Sequence, residues 1–269
     1  MFHLFISILL VLLVASCGSS KLDVDFHSPT VRFQTPETTG KTFGLRGQAG
    51  FGSSQKVSMA RTRQTKDLIN NTPSAIVFER NVEYSASNDL GYGLDIGLLS
   101  RLDFIFSKRS ESHYRFGGKI QFLGKPGSKE KGLKMAAMGS YGYKKERDVS
   151  KAGIFDDPDD YSTVTGNTKI KSSDFGAMIG YRFVPQFLFY ALGYSDENKA
   201  ESVISVQEQS DLHLDNVFKT RGLNLGAELS RGEEKDVFIN VEGGLSEIEN
   251  REGLKARHRT YGVAGGARF

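Results

Sequence analysis

The sequence predicts an all-β fold: a transmembrane, antiparallel, up-and-down β-barrel of about ten strands, with eight or twelve also compatible. Three observations predict it. Segments of about ten residues alternate small or apolar with polar, the period of a strand whose two faces meet different surroundings. Aromatics recur eight residues apart on one parity, as Phe43/Phe51, Tyr114/Phe122, Phe175/Phe183 and Tyr261/Phe269. Eight strand steps cover roughly 26 Å, or roughly 20 Å along the normal at a 40° tilt, which suits two aromatic girdles bordering an apolar band about 25 Å tall. Finally, short and long connections alternate along the chain, as they do when one end of a barrel carries turns and the other carries loops.

The elements follow in order. Residues 21–40 are polar with Pro29 and Pro36 and read as a periplasmic linker. The first strand covers about 41–55, with Phe43, Leu45, Gly47, Ala49 and Phe51 toward lipid, and 56–75 reads as a long loop carrying Arg61, Arg63 and Lys66. The second runs from about 76 to 97, longer than one span needs, with its first half beyond the membrane. A turn at Leu99-Ser100 leads to the third (Leu102, Phe104, Phe106 outward), and a short loop at 109–113 to the fourth (Tyr114, Phe116, Gly118, Ile120, Phe122). After the turn at 125–132, the fifth carries Leu133, Met135, Ala137, Gly139, Tyr141 and Tyr143. Residues 146–172 read as a second long loop with an acidic run from Asp156 to Asp160. The sixth strand carries Phe175 to Phe183, and Val184-Pro185-Gln186 is a tight turn, since Pro has no N–H for a ladder. The seventh, 187–196, is apolar on both parities, and 197–216 reads as a third long loop. The eighth and ninth carry Leu223, Leu225, Ala227, Leu229 and Val237, Ile239, Val241, Gly243, Leu245 outward, and the tenth is the terminal segment 261–269.

That terminal segment places Tyr261, Val263, Gly265, Ala267 and Phe269 on one face and stops on an aromatic. In this the chain resembles the bacterial outer-membrane β-barrel proteins, over roughly residues 41–269. The resemblance implies that Phe269, with Tyr261, is the signal read by the barrel-assembly machinery. The other end resembles a bacterial lipoprotein signal peptide. Residues 2–16 are apolar except for His3, Ser7 and Ser16, too short for a membrane-spanning helix but fitting a secretory core. Val14-Ala15-Ser16 then precedes Cys17, the sole cysteine, as in a lipobox. The resemblance implies cleavage after Ser16 and acylation of Cys17 by the lipoprotein-processing machinery. The domains expected are thus a signal peptide (1–16), a lipid-anchored periplasmic linker (17–40) and the barrel (41–269).

Composition agrees. Mean hydropathy is −0.35 and only 38% of residues are hydrophobic, which leaves no second helical span but suits a wall in which alternate residues are apolar. There are 19 Phe and 10 Tyr but no Trp, so Phe and Tyr form any girdle. A net charge of +3 from 35 basic and 32 acidic residues gives no reason to expect a nucleic-acid partner. A lone cysteine excludes an intrachain disulfide.

The inward parity supplies Arg46, Lys119, Arg182, Glu242 and Arg268 as lumen charges, with Gln48, Glu83, Asp95, Arg115, Gln121, Lys134, Glu228 and Asn240. In a ten-stranded barrel such charges are expected to pair, because an unpaired buried charge is costly. The alternative is a narrow solute conduit lined by Arg46, Lys119, Arg182 and Glu242. A lipid hydrolase would need a Ser/His pair at the wall. His27, His113, His213 and His258 do not fall in such a pattern, and the 156–160 run lacks the spacing of a calcium loop. The expected function is therefore an outer-membrane lipoprotein barrel with a structural or surface-interaction role, no evident catalysis and no cofactor. Its expected partners are membrane lipids and lipopolysaccharide, the latter through Arg61, Arg63 and Lys66 or through 255–259.

Overall fold

A computed structural model describes residues 23–66, 73–79, 82–109, 112–127, 130–153, 161–206, 211–231 and 236–269. Within them lie β1 (Asp23–Pro29), β2 (Leu45–Lys66), β3 (Pro73–Glu79), β4 (Glu83–Leu99), β5 (Leu102–Arg109) and β6 (Tyr114–Leu123). Then come β7 (Gly132–Gly153), β8 (Tyr161–Val184), β9 (Phe187–Val206), β10 (Leu212–Arg231), β11 (Asp236–Asn250) and β12 (Lys255–Arg268). Ten of these, β2 and β4 to β12, close a ring of antiparallel neighbours. The seam joins β12 to β2, from Gly262 opposite Gly52 to Arg268 opposite Arg46. At its end Leu45 and Phe269 exchange backbone hydrogen bonds of 3.1 and 2.9 Å. The ring has the strand number the sequence predicts.

Parity sets the wall. Phe43, Phe122, Phe183 and Phe269 are exposed near the short turns, and Phe51, Tyr114, Phe175 and Tyr261 are exposed eight residues further along their strands. Between the two rows lie exposed aliphatics such as Ile120, Ile179, Ile239, Val241 and Val263. Such a closed apolar belt with no free edge is the surface by which a barrel spans a membrane. β9, ambiguous in sequence, resolves the same way: Phe189 points out, while Leu188, Tyr190, Leu192 and Tyr194 are buried inside.

Past the second aromatic row the phase of hydrophobicity inverts while the parity stays. On β8 the outward residues become Lys171 and Lys169, both exposed, and the inward residue becomes Ile170. The same exchange occurs on β9 (Lys199 and Glu201 out, Ala200 and Ile204 in) and β10 (Lys219 out, Phe218 in). The inward residues there form an apolar cluster of Ile170, Ala200, Ile204, Leu214, Phe218 and Ile248 with Phe26, Val57 and Met59 from β1 and β2. This is what a wall that has left the lipid for water requires: charged outside, apolar inside.

Two expectations are corrected. The stretches read as long loops are mostly strand. β2 continues to Lys66 and pairs with β3, β7 and β8 stay paired out to Gly153 opposite Tyr161, and β9 reaches Val206. Their polar composition belongs to a wetted outer face, and their inward face keeps the ladder in register. The acidic run 156–160 lies outside the described residues. The second correction concerns residues 23–40, expected as a periplasmic linker. β1 pairs with the far half of β2, from Asp23 opposite Arg61 to Pro29 opposite Ser54, and the chain then runs down the lumen. Residues 26–38 are buried apart from the partly buried Arg32. A polar, proline-bearing stretch is as fit for a polar lumen as for water, which is why composition did not separate the two.

Candidate functional site: the filled lumen

The lumen is a stack of charged layers threaded by residues 29–40. Nearest the short turns, Arg182 grips Glu37 through two parallel hydrogen bonds, both 2.7 Å, and Lys134 adds a third cationic contact at 2.8 Å. Arg182 also reaches Glu228 at 2.9 Å. Glu228 is shared with Arg46 at 3.2 Å and Arg268 at 2.5 Å, and Arg268 goes on to Asp236 at 2.7 Å. Beside this layer the Thr38 and Thr39 amides donate to Gln121 (3.0 Å) and Asp103 (3.0 Å).

One layer up, Lys119 donates to Asp95 at 2.8 Å and to Gln34 at 3.2 Å, while Gln34 donates to the other Asp95 oxygen. Above it the Arg32 amide donates to Glu242 at 3.1 Å, and the Tyr190 hydroxyl meets the same carboxylate at 2.7 Å. The Arg32 guanidinium lies between Asp174 (3.3 Å) and Asp196 (3.2 Å), with Arg115 on Asp196 at 2.6 Å. Tyr194 and Asn224 both donate to the Thr30 carbonyl, at 2.9 and 3.0 Å. Opposite charges meet in most of these layers, the arrangement that offsets the cost of removing them from water, while Glu242 is held by neutral donors.

The wall leaves room for the threaded segment. A Cβ on the inward Gly262 would stand 2.6 Å from the Phe33 ring, and one on Gly180 would stand 2.9 Å from Pro36. Phe33 itself adopts a left-handed backbone (φ 53°), uncommon for an aromatic residue, and its ring lies 4.9 Å from the Arg109 guanidinium. A cavity of about 50 Å³ remains beside it, lined in part by Arg109, Arg115, Gln48 and His113. That is room for a few waters.

The sequence-derived residues fall as follows. Arg46, Lys119, Arg182 and Glu242 are buried in the lumen and Arg268 nearly so, all within the network above. Phe269 and Tyr261 are exposed on the outer wall, and Cys17 lies outside the described residues. Arg61, Arg63 and Lys66 are on the projecting part of β2, and Lys255, Arg257 and Arg259 are exposed on β12. His113 Nε2 lies 2.5 Å from the Ser172 hydroxyl, and His27 lies 3.2 Å from Asp89. Both pairs are buried inside the barrel, whereas a lipid hydrolase needs its serine at the wall.

Sequence reasoning missed Arg32, Gln34, Glu37 and Thr39, the residues the segment itself contributes. A signal was present in the inward glycines 52, 180 and 262, where an added Cβ would meet Val31, Pro36 and Phe33 of the segment.

No family model matches the chain, and no curated protein does. Among solved structures it is similar to the β domain of the Bordetella autotransporter BrkA, at 12% identity and TM-score 0.40, over 84% of this chain and 99% of that one. It is similar also to the outer membrane protease OmpT from Escherichia coli, at 7% identity and TM-score 0.35, over 88% and 98% of the two chains. A third is the outer membrane channel DcaP of Acinetobacter baumannii, at 6% identity and TM-score 0.17, over 87% and 99%.

Proposed function

We propose that this protein is an outer-membrane lipoprotein barrel, acylated at Cys17, whose lumen is filled by its own chain and whose role is structural or in surface interaction. One observation carries the reading against a conduit: Arg32 and Glu37, on the threaded segment, are the partners of Asp174/Asp196 and of Arg182/Lys134. The lumen charges that a solute would need are spent on a built-in occupant. Lipopolysaccharide is the proposed lipid partner. Lys169, Lys171, Lys199, Arg221, Arg257 and Arg259 are exposed just past one aromatic row, the level of headgroup phosphates. Phe269, with Tyr261, is the proposed assembly signal.

Planar-bilayer recording tests the filled lumen. The purified protein should insert without stepwise current, and reproducible single-channel steps would overturn the reading in favour of a channel. Labelling with radioactive palmitate tests the anchor independently. Wild type should incorporate label and Cys17→Ala should not; equal labelling of both would remove Cys17 from the proposal.

A further inference from the structure

We infer that the chain enters its barrel from the cell surface, so that β1 begins at the outer end of the barrel and not at the periplasmic one. The inference rests on the outer-membrane reading above and adds to it the side on which the N-terminal segment emerges.

The direction of the threaded segment follows from its partners on β10, which descends from the long hairpins to the short turns. The Phe26 ring lies 5.1 Å from Phe218, the Ser28 hydroxyl 3.2 Å from Thr220, and the Thr30 carbonyl accepts from Asn224 at 3.0 Å. Glu37 meets Glu228 through the Arg182 they share. Both numbers rise together, so the segment runs parallel to β10 and ends where β10 ends. There Phe43 donates to the Gly97 carbonyl at 2.7 Å and Leu45 pairs with Phe269. β2 then climbs back, and its residues 54–61 pair with β1 near the top. The ten-strand ring has both its ends at the short turns, but the chain has already crossed once before the ring begins.

Two features assign the ends. Connections such as Leu99 to Leu102 and Val184 to Phe187 are tight, whereas the opposite end carries hairpins built on strands of 20 to 24 residues. In outer-membrane barrels short turns face the periplasm and long excursions face outward. Charges of both signs, Lys169, Lys171, Lys199, Arg221, Arg257 and Arg259 with Glu197, Glu201 and Glu247 among them, line the long-strand end, where the cations face the side on which the outer leaflet offers phosphates. The start of β1 at the long-strand end is the reverse of the periplasmic tether expected from sequence.

Single cysteines test this with a membrane-impermeant maleimide on intact cells. Asp25→Cys sits on β1 at a side chain 29% exposed, and Lys125→Cys sits at a short-turn side chain 75% exposed. Wild type, whose only thiol is Cys17, is the blank. Asp25→Cys should label as fully on intact as on permeabilised cells, and Lys125→Cys should rise about tenfold on permeabilisation. Labelling of Asp25→Cys only after permeabilisation would overturn the inference. An epitope inserted between Ser20 and Lys21, probed with antibody on intact cells, repeats the measurement without altering β1. A current-carrying barrel with surface-labelled Asp25→Cys would sink the filled lumen and leave the topology standing; a silent barrel with Asp25→Cys labelled only after permeabilisation would do the opposite.

Discussion

Arg32 and Glu37 are the only two charged side chains between Pro29 and Thr39, and each stands against wall groups of opposite sign. Removing Arg32 leaves Asp174 and Asp196 to share Arg115, with two carboxylates in a dry layer and one guanidinium between them. Breaking a buried network in this way typically costs about 3–5 kcal/mol, because the stranded charge stays buried. Arg32→Ala should therefore lower unfolding stability in micelles by that amount, measured by denaturant titration. A loss below about 1 kcal/mol would mean that the Asp174/Asp196 layer is already hydrated. Beyond the membrane the same chemistry is weak. The exposed Arg257 guanidinium donates to the partly exposed Glu247 at 2.6 Å and holds its carboxyl below the ordinary carboxylate range. With the folded pKa depressed, this pair's contribution is present above the unfolded value of about 4.3 and is lost as pH falls through the folded one. Arg257→Ala should raise the Glu247 midpoint toward about 4.3 in carboxyl-detected NMR, with the barrel still assembled.

At the scale of the strand, one parity serves two solvents. On β8, Ile179 lies on the lipid side midway between Phe175 and Phe183, while Lys171 occupies the same parity eight residues higher. Ile179→Arg should cost about 2–4 kcal/mol, the penalty near the bilayer midplane, and Lys171→Ile should change stability by less than about 1 kcal/mol. Equal costs at the two positions would mean that the apolar band has been set at the wrong height. Labels at single cysteines from 178 to 182, in a Cys17-free background, should be quenched by a lipid-soluble quencher at 179 and 181 only. The strands of the membrane level were legible in the sequence because lipid demands uninterrupted alternation with large apolar groups outside. The upper halves of β7 to β10 were not, since a wet outer face of Lys, Glu and Ser looks like loop composition, and Ile170, Ile204 and Phe218 are spaced too sparsely to announce a strand by themselves. The lumen charges Arg46, Lys119 and Arg182 were readable from parity. Gln34 and Glu37, the partners of Lys119 and Arg182, were not, and neither was Arg32, because the alternation from Asp23 to His27 is short, a polar composition does not separate lumen from water, and most of the segment's contacts are long-range, to residues as far off as Glu242.

For the molecule as a whole, barrel and threaded segment form one electrostatic unit, and its net charge decides how the closed state answers a membrane potential. A displaced charge gains about 2.3 kcal/mol per 100 mV across the full field. Sliding residues 29–39 along the axis moves Arg32 and Glu37 together, one charge of each sign, so the field does no net work on the pair. The hydrogen bonds of Thr30, Gln34, Thr38 and Thr39 to the wall oppose the same displacement. Wild type should therefore stay electrically silent at about 200 mV of either polarity. Glu37→Gln removes one sign from the segment and frees Arg182, Lys134 and Arg268 from one of their carboxylates. Its segment then carries a net positive charge worth about 4.6 kcal/mol at 200 mV across the whole membrane, enough to populate a displaced state at one polarity only. Currents that appear in Glu37→Gln at that polarity, and in a variant lacking residues 23–40 at both, are the expected result. Silence in the deletion variant, once heat-modifiable migration has shown it assembled, would mean that the wall side chains close the lumen without the segment.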